Sequence, residues 1–331
     1  MPAAATRIRI ALVTRPKPLL FRDTNGAPLC ERGSVVCVGA FDGLHLGHRA
    51  LIEAARASAD RLGLPLVALS FEPLPREFFA RDVKPPRLTL PRAKIDGFTA
   101  LGCDVIGLLR FNAAMSAMSA EDFVERLLAG RLAAREVWVG RDFRYGHKRA
   151  GDFATLEASG AQHGFAVRSI DDVLLDGERV SSSRIRTALL DGDLDTVTRL
   201  LGRPYAIGGK VVHGNRLGRQ LGYPTANLRL MQKAPALSGV FVTRVHGVAA
   251  TPWPSVSSLG TRPTVDGREP LLEAHLFDFD GDLYGRRIEV EFVAKLRDEL
   301  KFESLDLMVE QIHRDAREAR AILKTPAGAA A

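Results

Sequence analysis

His45 and His48 stand three residues apart in VGAFDGLHLGHRALI (38–52), with Gly47 between them, where an apolar run gives way to a helical pattern. Val35 to Ala40 reads as a strand, Phe41-Asp42-Gly43 as a turn, and a helix starts near Gly47 or His48. The first N–H groups of a helix have no intrahelical partner, and with the helix dipole they attract anions. Two imidazoles at that end add directional donors for phosphate oxygens. Gly47 has no side chain, so a nucleotide can approach the backbone, and Gly39 and Gly43 relieve crowding in the same way. These residue types suit attack on the α-phosphate of a nucleotide with pyrophosphate leaving: charge builds on the phosphoryl oxygens, imidazoles stabilise it, and no covalent nucleophile is needed. The competing reading is a tight turn with one histidine capping and the other exposed. No Walker lysine pattern occurs, which argues against a P-loop phosphotransferase.

Further candidates follow along the chain. Asn112 comes after the third predicted strand, and Asp142, Phe143 and Arg144 after the fourth; ligand contact and loop stabilisation are both open for each. Ser182 and Ser183 precede a helix and can donate to phosphate, with Ser183 also reading as its N-cap. Arg186, one turn in, suits a bidentate phosphate contact. Gly209, Gly214, Gly218 and Gly222 form either a backbone that wraps phosphates or a glycine-rich hairpin. Thr225 and Asn227 are two apart, so in an extended segment both oxygens face one side. Hard oxygen ligands of this kind suit Mg²⁺, which keeps waters and bridges substrate phosphates.

Two kinds of element must position these residues. From Ser34 to about Gly202, strands at 34–40, 66–71, 104–109, 136–140 and 165–170 alternate with helices at 48–62, 93–101, 119–129 and 152–159. Ser119 with Asp122 resembles a capping box, and Gly130 follows the last periodic residue of the third helix. Such alternation means a parallel sheet covered on both faces, with ligands at the carboxyl ends of its strands. Residues 40–48 and 141–151 therefore share one functional edge. From 205 to 295 the chain is rich in Gly, Pro, Thr and Val, with alternating runs such as GVFVTRV and RIEVEFV, and reads as an antiparallel sheet or small barrel. A helix from near Ser304 closes the chain; Leu305, Met308, Val309, Ile312, Ala316, Ala319 and Leu323 give it one apolar stripe to dock on the barrel.

At 331 residues the chain is longer than one core usually organises, which predicts two domains, 1–202 and 203–331. Apolar content of 46% with 26% charged residues fits a globular protein rather than a disordered or membrane-embedded one. There is no apolar run of about 18 residues, and the start lacks a signal-peptide block. The three cysteines have no metal-like spacing, which predicts reduced thiols and a cytoplasmic protein. The net charge of +7 comes without a lysine-rich tail or a basic aromatic stripe. Anionic small substrates, nucleic acid and an ordinary solvated surface explain it equally, and charge alone decides nothing, while no nucleic-acid or membrane partner is expected from the motifs.

The motifs together carry a resemblance. G-x-F-D-G-x-H-x-G-H from Gly39 to His48, FEPLP (71–75), VGRDFRYGHKRAGD (139–152) and VSSSRIR (180–186) resemble the nucleotidylyltransferase part of bacterial bifunctional riboflavin kinase/FMN adenylyltransferases. GKVVHGNRLGRQLGYPTANL (209–228) and LGTRPTV (259–265) resemble that family's kinase part, so the likeness spans about 34–324 in order. It implies a Rossmann-like domain followed by a small antiparallel barrel with a closing helix. It also implies phosphorylation of riboflavin to FMN and adenylylation of FMN to FAD, with ATP as co-substrate and Mg²⁺ as cofactor. His45, His48 and Arg186 would hold the ATP phosphates, with Gly39, Phe41, Asp42, Gly47, Ser182 and Ser183 around the nucleotide. Asn112, Asp142 and Phe143 are flavin-side candidates, although the adenine is an equal possibility for the last two. Gly209, Gly214, Gly218, Thr225 and Asn227 would bind the kinase nucleotide, Thr225 and Asn227 its Mg²⁺, and Glu273 would be the general base. His275, two residues on, reads as an ordinary exposed strand histidine. Three positions depart from the family pattern: Ser183 stands for Thr, Ser258 for Asn and Phe241 for Tyr. A class I aminoacyl-tRNA synthetase also uses an H-x-G-H signature, but the chain has no Lys-Met-Ser-Lys-Ser-like loop and that reading leaves the barrel pattern unexplained.

Overall fold

The computed structural model describes residues 16–81, 85–213, 223–230, 235–264 and 267–324. Its first layer is a six-stranded parallel sheet of β1 (Leu19–Phe21), β2 (Ser34–Val38), β3 (Leu66–Glu72), β4 (Val105–Arg110), β5 (Ala134–Trp138) and β6 (Ala166–Arg168), in the order β1-β4-β3-β2-β5-β6. Alternate residues of these strands feed two apolar clusters, one on each face. Val36, Val67 and Val137 lie in one, and Val35, Cys37 and Ile106 in the other. Burial on both sides is why these strands read as continuous apolar runs. The chain runs through α1 (Leu46–Leu62), α2 (Pro75–Phe79), α3 (Pro91–Ala100), α4 (Ala113–Ala117), α5 (Ala120–Asp122) and α6 (Phe153–His163). Cys30, Cys37 and Cys103 are all free and buried.

After a two-stranded hairpin, β7 (Leu174–Leu175) and β8 (Glu178–Arg179), helices α7 (Ser182–Asp191) and α8 (Leu194–Leu201) lead into a closed antiparallel barrel. Its strands are β9 (Ala206–Val212), β10 (Ala226–Arg229), β11 (Gly239–His246), β12 (Trp253–Thr264), β13 (Gly267–Leu276) and β14 (Arg287–Arg297), ordered β10-β13-β12-β11-β14-β9. Leu228, Leu259, Leu272 and Phe241 fill the interior, and the same cluster continues through Val197 and Leu200 of α8 to Ile185 of α7. α9 (Leu305–Leu323), N-capped by Ser304, lies on the outside of the barrel, burying Ala316 and Ala319 against Val240, Val242 and Phe277.

Several expectations need correction. β1 precedes the predicted first strand; it is a three-residue edge with Leu19 and Leu20 about half exposed, too short to show a period. Gly130 does not end the helix that Ser119 caps. After α5 the chain continues as a π-helix over Phe123–Arg131, which carries Gly130 inside it. The N-cap of α7 is Ser181, whose hydroxyl accepts from the Arg184 N–H, not Ser183. Leu305 is 52% exposed, so the docked face of α9 starts further along than its apolar stripe.

Candidate functional sites

In the sheet β3 lies on one side of β2 and β5 on the other, so the strand order reverses direction at β2/β5, the place where open parallel sheets form ligand crevices. The turn beyond β2 is unusual. Phe41 (φ 47°), Gly43 (φ 98°) and Leu44 (φ 46°) all adopt left-handed backbone, which costs the two non-glycine residues about 1 kcal/mol or more each. Buried contacts hold that shape. The Asp42 carboxylate accepts from the N–H groups of Leu88 (3.0 Å) and Thr89 (3.0 Å) and pairs with the guanidinium groups of Arg76 and Arg186. Gly43 N–H donates to Thr89 Oγ1 at 2.8 Å, and Ser182 Oγ donates to the Asp42 carbonyl at 2.7 Å. The start of α7 is thereby tied to the start of α1.

His45 is the N-cap of α1, its Nδ1 accepting from the His48 N–H at 3.3 Å. That bond leaves the proton on Nε2, free to donate outward. The two rings stack at 3.7 Å between centroids, and Phe41 meets His48 edge-on at 5.2 Å. Burial, with Arg179 and Arg203 adding positive charge, holds His45 down to about 4. Burial, then His45, Lys94 and Arg179, holds His48 well below the usual histidine range, and its Nδ1 is buried without a partner among the described residues. Both rings are therefore neutral donors at neutral pH. Lys94, buried on α3, donates from Nζ to the Ala40 carbonyl (2.8 Å) and Ser70 Oγ (3.0 Å) at the ends of β2 and β3; burial lowers it to about 8. Its sequence context, PRAKIDGF, has the polar look of a solvent face, so nothing there marks it.

The other N-terminal candidates converge on this edge in different ways. Gly47 is covered by the His45 ring, 3.3 Å from where a Cβ would sit, so its missing side chain admits the histidine. Gly39 similarly underlies the Phe41 ring. Phe41 is fully buried, and Asp42 is 1% exposed, so both shape the turn from beneath. Arg186 is buried too. Besides Asp42 it donates to the carbonyls of Pro86 (2.7 Å) and Ser182 (3.0 Å). Ser183 is exposed at the first turn of α7. Asp142 is exposed and accepts from Arg179 of β8 at 3.1 Å, which draws the loop after β5 toward β8. Phe143 stacks on Tyr145 at 5.5 Å. Asn112 caps α4, its Oδ1 accepting from the Met115 N–H at 2.9 Å.

In the barrel, Asn227 of β10 lies opposite Glu273 of β13, which lies opposite Ser258 of β12. Their neighbours Leu228, Leu272 and Leu259 fill the interior, so this row faces outward, on the side where α9 docks. Asn227 is 7% exposed; its Nδ2 lies 3.4 Å from Thr225 Oγ1 and its Oδ1 is buried without a partner among the described residues. His275 is half-buried rather than simply exposed: its Nδ1 lies 2.9 Å from the Pro224 carbonyl, next to Thr225, and Tyr223 meets its ring edge-on. Gly209 sits inside β9, packed under Leu228, and is not part of a loop. Gly214, Gly218 and Gly222 lie outside the described residues. Phe241, in place of a tyrosine, points into the barrel core against Phe292 and so has no place in the outer row. Among the described residues no group of three or more His, Cys, Asp or Glu side chains gathers as a metal cluster.

Known proteins similar to this chain match along most of its length. A family model described as FAD synthetase matches residues 27–184, and one described as riboflavin kinase matches 201–323. A bifunctional riboflavin kinase/FMN adenylyltransferase of Pseudomonas fluorescens is 44% identical over 88% of this chain and 94% of its own. Namesakes from Haemophilus influenzae (39% identical, covering 92% and 99%) and Escherichia coli K12 (42%, covering 88% and 93%) are similar along nearly their whole length. A solved structure described as a macrolide-efflux protein of Streptococcus pneumoniae superposes with a TM-score of 0.77 at 29% identity, covering 92% of this chain and 99% of that one. No helix among the described residues is long and apolar enough to cross a membrane.

Proposed function

The chain belongs to the family of bifunctional riboflavin kinase/FMN adenylyltransferases, and from that premise we propose how its two sites divide the work. It is an enzyme with both activities: it phosphorylates riboflavin with ATP and adenylylates FMN with a second ATP to give FAD. Residues 1–202 carry the adenylyl transfer and 203–331 the kinase step.

The observation that carries the first assignment is the stacked, neutral His45–His48 pair at the N-terminus of α1, at the sheet's switch point. The rings donate to ATP phosphate oxygens as a phosphate oxygen of FMN attacks the α-phosphorus. The bond to the bridging oxygen breaks, and pyrophosphate leaves. Donors fixed before the reaction stabilise the added charge without reorganising. Ser182, Ser183 and Arg186 flank the same helix start, and Asp142, Phe143 and Asn112 line the flavin side.

In the barrel, Glu273 accepts the proton of the terminal ribityl hydroxyl as that oxygen attacks the γ-phosphorus and ADP leaves. Thr225 and Asn227 would hold Mg²⁺. Asn227 Oδ1, buried and without a partner among the described residues, has the hard-oxygen chemistry this ion takes, and Asn227 Nδ2 lies 3.4 Å from the Thr225 hydroxyl. When bound, the ion neutralises charge on the phosphates. His275 braces Pro224 and so the segment carrying Thr225. Three free buried thiols suit a cytoplasmic enzyme. The test is direct: with riboflavin, ATP and Mg²⁺, chromatography of the products is expected to give FMN first, then FAD with one pyrophosphate per FAD. Absence of either flavin product from folded protein refutes the corresponding half.

A further inference from the structure

The strained turn that presents His45 has a support from outside its own half of the molecule. Arg203 follows α8 and immediately precedes the barrel; it lies within the stretch matched by the kinase model and beyond the end of the adenylyltransferase match. Its guanidinium donates to the Gly43 carbonyl at 2.8 Å and to the Leu44 carbonyl at 3.2 Å. Those two residues are the left-handed pair directly before the N-cap. Apart from a longer bond of 3.5 Å to the Leu201 carbonyl, the carbonyls of this turn are the hydrogen-bond partners of Arg203 among the described residues. A planar guanidinium can bond two adjacent carbonyls at once, which a point-like ammonium does less well. From the other side Leu44 packs on Gly97, its Cδ1 lying 2.3 Å from the position a Cβ there would occupy, so a larger residue at 97 would have to displace the leucine side chain. Gly97 and Arg203 thus brace opposite sides of the turn that leads directly into His45, the N-cap of α1.

We propose that Arg203 is a positioning residue for adenylyl transfer: the kinase half reaches across and completes the adenylyltransferase site by locking the Gly43–Leu44 carbonyls, and thus the His45–His48 pair. This rests on the reading of those histidines as phosphate donors. Small misplacements of catalytic groups cost rate rather than ground-state binding. The loss is therefore carried by kcat for FMN to FAD, with KM for ATP close to the parent's.

The test uses the full chain with Arg203→Ala and Arg203→Lys, each assayed for FMN to FAD and for riboflavin to FMN. Arg203→Ala is expected to lower kcat for FAD formation by about 10- to 100-fold and leave riboflavin phosphorylation at the parent rate. Arg203→Lys should recover only part of the loss. Arg203 lines an open cleft of about 830 Å³ between the two halves, so added methylguanidinium can reach the vacated position and should restore part of the alanine variant's rate. Parent-level FAD formation in Arg203→Ala overturns the proposal. So does a parallel loss of both activities without methylguanidinium rescue, which marks a general folding role. His45→Ala in the same assay separates the two ideas. If it too makes FAD at the parent rate, the histidine reading has failed; if it is inactive while Arg203→Ala is not, only the positioning role has.

Discussion

His45 and His48 meet a phosphate as neutral imidazoles, and both their charge and the placing of the His45 proton come from their surroundings. The His48 N–H occupies His45 Nδ1, which puts the His45 proton on Nε2, and burial keeps both rings uncharged. This has a consequence for stability. His45 falls from its ordinary 6.5 to about 4 on folding, so between those values the unfolded chain binds more protons and stability rises with pH. Its contribution is fully present above 6.5 and is lost as pH drops through about 4, at most about 3 kcal/mol, with His48 acting in the same sense. Urea midpoints measured across that window should drop as the pH is lowered, and less steeply in His45→Ala. In the barrel, Glu273→Gln keeps the shape but cannot take a proton; riboflavin phosphorylation should fall about 10²- to 10⁴-fold while FMN to FAD conversion is unchanged. The histidines and the Thr225–Asn227–Glu273 set were legible in the sequence because their spacing is local or their motif is recognisable. Lys94 and Arg203 were not, because each acts by reaching a carbonyl remote in sequence, and nothing nearby distinguishes them from surface cations.

Among the elements, α9 shows how a helix is fixed to a barrel by a few buried charges. Arg297 of β14 makes a two-pronged pair with Asp315 at 2.7–3.1 Å, and Arg320 pairs with Asp278 while lying 4.3 Å over the Phe277 ring. Asp315 is 5% exposed, so Asp315→Ala strands a guanidinium beneath the helix and should cost about 3 kcal/mol, seen as a lower Tm. The apolar stripe of α9 was readable from its period, but not which part docks, since Leu305 carries the same signal as Ala319 and only the barrel's extent decides. The strands of the sheet showed the same asymmetry. Runs buried on both faces were evident, whereas β1 has two half-exposed leucines and no period. The N-cap of α7 fell on the first of three consecutive serines, a choice composition cannot make; the Ser181 hydroxyl takes it by accepting from Arg184.

For the molecule as a whole, sheet, barrel and their order were legible because alternating strand and helix patterns give way to strand patterns alone. The junction was less so. The apolar cluster inside the barrel continues into α8 and α7, so a cut after residue 202 exposes Leu200 and Leu201 contacts that the barrel shares. A fragment of 203–331 is expected to phosphorylate riboflavin, but to melt below a fragment beginning at 181, which keeps both helices; thermal unfolding of the two checks this. On this proposal one chain holds two chemically distinct sites, and His48 serves only the second step. The measurement that tests it most directly is a chromatographic time course of the His48→Ala variant with riboflavin, ATP and Mg²⁺. FMN is expected to form at the parent rate and accumulate, with FAD formation slowed at least about 10²-fold, the scale for one lost transition-state donor. FAD appearing at the parent rate from folded protein would contradict it.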